Sequence, residues 1–161
     1  MKRIIGLLLL VTAASFCCAQ YRVKKAQAFF TVSTPGMAMK DEKGNTINPA
    51  PAYERFIYIE CRFNGKPKVD SVFYNGILLM SSVADKEETT AKVGVRADNG
   101  NPVNFIAKKG NKIWRIDLQP LNGNILKHEV VKKITIKGKL AKTTFSHTLT
   151  AETELTTPDR Y

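Results

Sequence analysis

The chain reads as an all-β domain: an antiparallel two-sheet sandwich, immunoglobulin-like, of about nine strands. Three observations predict it. The run RFIYIECRF at 55–63 suits a strand at every position. Short β-prone runs recur along the chain with turn residues between them. The hairpins that can be registered bring apolar partners together on one face, which a one-residue slip would undo. Hairpins of that kind bury their apolar face by stacking two sheets ~10 Å apart. The Cys, Trp, Cys spacing of true immunoglobulin domains is missing, so the likeness is one of architecture.

The run at 55–63 places Ile57, Ile59, Cys61 and Phe63 on one face. On the other, Phe56 and Tyr58 give way to Glu60 and Arg62. It is predicted to be a central strand, covered on one side throughout and on the other for half its length. Before it, AQAFFTVST at 26–34 alternates as a first strand and Pro35-Gly36 ends it in a turn. Residues 37–53 carry Asp41, Gly44, Asn45, Pro49 and Pro51, and read as a long surface loop that covers part of a sheet or serves binding. Farther on, DSVFY and ILLMSS flank Asn75-Gly76, a pair suited to a two-residue type I′ hairpin. Pairing outward sets Tyr74 on Ile77, Phe73 on Leu78 and Val72 on Leu79. That hairpin is apolar on both sides.

Residues 84–88 are charged and read as a turn or short helical piece, and 89–97 as a strand with Ala91, Val93 and Val95 inward. Gly110-Asn111 suits a type II′ turn joining 103–109 to 112–118, with Ala107 on Trp114, Phe105 on Ile116 and Val103 on Leu118. The last pair, 125–140 and 143–155, turns at Ala141-Lys142. Its register sets Ile134 on Leu149, Ile136 on His147 and Gly138 under the ring of Phe145. Lys133, Lys137 and Lys139 fall on the opposite face.

Residues 1–19 have the make-up of an export signal: Lys2 and Arg3, an apolar core from Ile4 to Val11, then mostly small residues. A cut between Ala19 and Gln20 leaves one domain at 20–155 and a flexible tail at 156–161. A lipid anchor is not expected, because Cys17 follows Phe16 and Cys18 follows Cys17, not the small residue a lipidated cysteine needs before it. The leader's ending, CxAQ at 17–20, ahead of a basic, β-rich domain resembles that of small uncharacterised secreted all-β proteins of the Bacteroidota. The resemblance implies export and brings no functional residues with it.

Loss of the leader would leave Cys61 as the one cysteine, and no internal disulfide. Removing Lys2 and Arg3 takes the net charge from +11 to +9. No cofactor motif is present. His147 falls on the apolar face of its strand and reads as a core histidine, and His128 has no cluster of partners for zinc. Cys61 shares a face with Ile57 and Ile59 and reads as a packed, inert thiol. Glu87-Glu88 reads as a solvated turn, and no serine sits in a Gly-x-Ser-x-Gly elbow.

Two surface features remain. Lys133, Lys137 and Lys139 form a row able to attract an anionic polymer by charge, although lysines on exposed strands also discourage edge-to-edge aggregation. No exposed aromatic row accompanies them, so no specific nucleic-acid site is expected. Phe73, Leu78 and Met80 are either a partner patch or a face buried beneath the 37–53 segment. The expected function is therefore that of a non-catalytic binding module of the cell envelope, periplasmic or extracellular. Its partner would be an envelope protein or an anionic polymer. A hydrolase using carboxylates brought together by folding is the less favoured alternative.

Overall fold

The computed structural model describes residues 22–33, 39–44, 46–47, 51–62, 65–84, 88–121 and 130–156, and every regular element among them is a strand. In chain order these are β1 (Val23–Ser33), β2 (Met39–Lys40), β3 (Thr46–Ile47), β4 (Ala52–Cys61), β5 (Lys68–Tyr74), β6 (Ile77–Val83), β7 (Thr90–Val95), β8 (Pro102–Ile106), β9 (Lys112–Pro120), β10 (Ile134–Leu140), β11 (Thr143–Leu149) and β12 (Glu152–Leu155). No helix among them is long and apolar enough to cross a membrane. The leader, its cut at Ala19 and Gln20, Cys17, Cys18, Phe63, Glu87, His128 and residues 157–161 lie outside the described residues.

Eight strands form one sheet in the order β11-β10-β5-β6-β9-β4-β1-β12. Neighbours are antiparallel except β1 and β12, which are parallel. A short link dictates the shape of this sheet. β11 and β12 stand at opposite ends of the order, yet only Thr150 and Ala151 join them. Three residue steps reach at most ~11 Å, whereas eight strands laid flat would part their edges by ~34 Å. The sheet must curl until its ends meet, and β11 comes to lie beside β1.

Curling brings the inner face against itself. Ala26, Ala28, Ile57, Ile59, Cys61, Val72, Tyr74, Leu79, Trp114, Ile116, Leu118, Ile134, Ile136 and Leu140 form one buried cluster there. The nine-stranded immunoglobulin-like sandwich is thus not confirmed. Two halves of one mixed sheet face each other, because the chain's last strand changes partner at 150–151 instead of running unbroken through 143–155.

A second layer covers part of the outer face. β7 and β8 pair as a hairpin, tied at one end to β9 through Glu88 and Ile113 and at the other to β12 through Arg96 and Leu155. The hairpin therefore spans β9, β4, β1 and β12. Beneath it Phe29, Phe56, Tyr58, Ala91, Phe105, Ile113 and Leu155 form a separate buried cluster. Tyr58 stacks on Phe105 and Phe29 on Phe56, each pair with ring centroids 5.8 Å apart.

This layer corrects the predicted pairing of 103–107 with 114–118. β8 pairs with β7, setting Phe105 on Ala91, and β9 pairs with β4 and β6. Trp114 faces the inner core, opposite Ile59 and not Ala107. Apolar alternation in 103–107 fits either partner, so the turn decides. The Asn111 N–H donates to the Lys108 carbonyl at 2.9 Å, which makes Gly110 the third residue of the turn, at φ +82°. A type II turn, with its positive φ at the third position, belongs there, and it does not fold the strands back as a type II′ hairpin would.

Three predicted features hold well. β4 is central, between β9 and β1. The β5–β6 register sets Tyr74 on Ile77, Phe73 on Leu78 and Val72 on Leu79, with Asn75 at φ +49° and Gly76 at +88° as a type I′ turn requires. The β10–β11 register sets Ile134 on Leu149, Ile136 on His147 and Gly138 on Phe145. β10 nevertheless begins at Ile134, and the predicted 37–53 loop contains the small β2–β3 pair.

Candidate binding surface

Among the described residues, the outer positions on β5, β6 and β10 have no counterpart to the β7–β8 hairpin above them. Phe73 lies between Thr135 and Leu78 in register, so one row crosses all three strands. Leu78 is 43% exposed and Met80 47%. They are not buried beneath the 37–53 segment. Lys137 pairs with Ser71 beside this row, and its Nζ stands 5.7 Å from the centre of the Phe73 ring. Lys139, two residues along, pairs with Lys68 on one side and Thr144 on the other. The lysine row and the apolar patch, separate features in the sequence, are one surface in the fold.

That surface rests on a stiff base. At Gly138 a Cβ would overlap the Lys68 carbonyl oxygen and stand 2.9 Å from Cε1 and Cζ of Phe145, so only glycine lets β10, β5 and the ring close up. Lys133 precedes β10 and is anchored through its backbone. Its N–H donates to Asn75 Oδ1 at 3.1 Å and its carbonyl accepts from the Asn75 N–H at 2.8 Å. The Lys132 N–H reaches the same Oδ1 at 2.8 Å, while Asn75 Nδ2 donates to the Val130 carbonyl at 3.2 Å. Asn75 thus forms the turn and clamps the segment leading into β10. The turn role is legible in the Asn-Gly pair; the clamp, 55 to 58 residues away in sequence, is not.

The groups with chemical potential are held in structural roles. Cys61 is fully buried, and burial, with Glu60 beside it, pushes its thiol up to about 12. His147 lies half-buried on the inner face of β11, where burial lowers its pKa. Glu88 bridges β9 through its backbone. Among the described residues no three His, Cys, Asp or Glu side chains gather as a metal site.

Three buried charges escaped the sequence reading. Glu60, expected on a polar stretch, is buried and accepts from the Lys108 N–H at 3.0 Å and from Asn111 Nδ2, holding the 108–111 turn. Arg55 and Glu152 are buried together with Nε to Oε2 at 3.5 Å, and the Tyr74 hydroxyl donates to Glu152 Oε1 at 2.7 Å. Burial and that hydrogen bond push the Tyr74 phenol up to about 12. The guanidinium also faces the rings of Phe30, Tyr53 and Tyr74 at 4.9 to 5.7 Å. This group joins β5 to β4 and β12 across the curl. Two further carboxylates, Glu54 and Asp117, converge on Arg115 at 3.0 and 2.6 Å, which occupies them as ion-pair partners. Comparison with protein-family models, curated proteins and solved structures finds no match to the chain.

Proposed function

We propose that the protein is an exported, non-catalytic binding module of the cell envelope that meets its partner through the outer face of β5, β6 and β10. The observation that carries this is the exposure of Leu78 and Met80 beside Phe73, Lys137 and Lys139 on a sheet whose other outer half has its aromatic residues covered by β7–β8. Exposed apolar side chains grouped on a rigid face commonly mark contact sites. Lysines around them add attraction for acidic groups. The export step rests on the leader at 1–19.

Cross-linking the C-terminally tagged protein in secreting cells, followed by mass spectrometry, tests the reading. A partner captured by the parent should be lost when Met80→Ser is combined with Lys137→Ser and Lys139→Ser. Capture unaffected by these changes would dismiss this face. Retention on an anionic matrix that fades with salt and requires Lys133, Lys137 and Lys139 would identify an acidic polymer as the partner.

A further inference from the structure

Four segments come together at the end of the sheet where β5 turns into β6. Tyr74 pairs with both Ile77 and Ile134, and Leu79 pairs with Pro120. Three aliphatic side chains project into water there: Ile77 is 50% exposed, Leu121 49% and Val130 79%. They are not on loose chain. The type I′ turn fixes Ile77, pairing of Pro120 positions Leu121, and the Asn75 clamp holds the Val130 carbonyl.

Among the described residues, the segments 72–80, 118–121 and 130–137 at this end contain Lys132, Lys133 and Lys137, all exposed, and no Asp or Glu. Protein interfaces are poor in lysine and built on aromatic and arginine anchors, and single-stranded nucleic acid needs aromatic platforms. Aliphatic tips with a collar of lysines match a different partner. A bilayer accepts the aliphatic groups at its headgroup boundary, and its anionic headgroups attract the ammonium groups.

We propose that this end of the sheet is a peripheral contact with an anionic phospholipid bilayer. Ile77, Leu121 and Val130 enter the headgroup boundary, and Lys132 and Lys133 lie against the phosphates. The inference rests on the binding-module reading and deepens it by naming a partner for the end of the sheet that adjoins that face.

Co-sedimentation with vesicles tests it, using equal parts phosphatidylglycerol and phosphatidylcholine against phosphatidylcholine alone. The protein is used as recovered from secreting cells. All variants share the same N-terminus, so any contribution from residues 1–21 cancels. The parent should bind the anionic vesicles, less at high salt, and leave neutral ones unbound. Ile77→Ser with Leu121→Ser should weaken binding about tenfold, and Lys132→Gln with Lys133→Gln about fivefold per lysine removed. Both pairs replace exposed side chains and should melt at the parent's temperature.

Absence of anionic-vesicle binding, equal binding to neutral vesicles, or indifference to both pairs overturns the proposal. So does a dimer in light scattering that the Ile77 and Leu121 changes dissolve without any vesicle binding, because the occupant is then a second copy. If vesicle binding fails while the cross-link sensitive to Met80, Lys137 and Lys139 persists, only the lipid assignment falls. Loss of both removes the binding-module reading too.

Discussion

The two halves of the outer sheet face are built from similar material and meet different fates. Across β1, β4 and β9 the outward positions Phe29, Phe56, Tyr58 and Ile113 lie under the β7–β8 hairpin, sealed by Ala91 and Phe105. Across β5 and β6 the outward positions Phe73, Leu78 and Met80 are as apolar, yet Leu78 and Met80 stand in water. The strand pattern is the same in both regions, with apolar residues on both faces. What differs is whether a second layer is tied across them, and the ties are two backbone bridges, at Glu88–Ile113 and Arg96–Leu155. An apolar outward face is therefore core where it has a cover and a candidate contact surface where it has none.

That contrast can be broken from its covered side first. Phe105→Ala would remove the fully buried ring that stacks on Tyr58 and should cost about 3–5 kcal/mol in urea unfolding. A loss below about 1 kcal/mol would mean that the hairpin is not an integral cover. From the inside, Glu152→Gln should cost a comparable ~3–5 kcal/mol, because it leaves the Arg55 charge buried without its anion. A smaller loss would show that the aromatic rings around the guanidinium suffice.

The open half is sharpened by smaller changes. Gly138→Ala forces β10 away from Lys68 and Phe145, and should lower the unfolding free energy by about 1–3 kcal/mol, the cost of overpacking. An unchanged midpoint would mean that β5 and β10 are loosely joined. His147, on β11, has a pKa lowered by burial. Its folded value lies below its unfolded value, so stability is fully present above about pH 6.5 and falls as pH drops through the folded value. His147→Leu should flatten that acid limb in a pH series of thermal melts. Met80→Ser is expected to move stability by no more than about 0.5 kcal/mol, since its side chain is half in water. A larger loss would show that Met80 is packed, and would weaken the case for a contact face.

Much of the local structure was legible. The β5–β6 and β10–β11 registers follow from a short turn and a period of two, both of which act over a dozen residues. Cys61 and His147 could be assigned to the inner face for the same reason. The 103–118 pairing failed because alternation alone cannot choose between partners, and the choice was made by the Glu60 carboxylate gripping the 108–111 turn from another strand. Glu60 itself was misplaced because a charge in a strand reads as solvated until its donors are known. The joining of the lysine row to the apolar patch depends on β10 lying beside β5, a pairing across 60 to 71 residues.

By itself, then, the sequence determined that this chain makes strands, where its tight hairpins turn, and which side chains share a face, because sterics, turn chemistry and the pleat act between near neighbours. Tertiary structure alone decided that the strands close into one curled sheet, that Arg55 and Glu152 meet inside it, and that β7–β8 shields one outer half and not the other. Those outcomes depend on which distant edges pair, and that is settled by burial over the whole molecule.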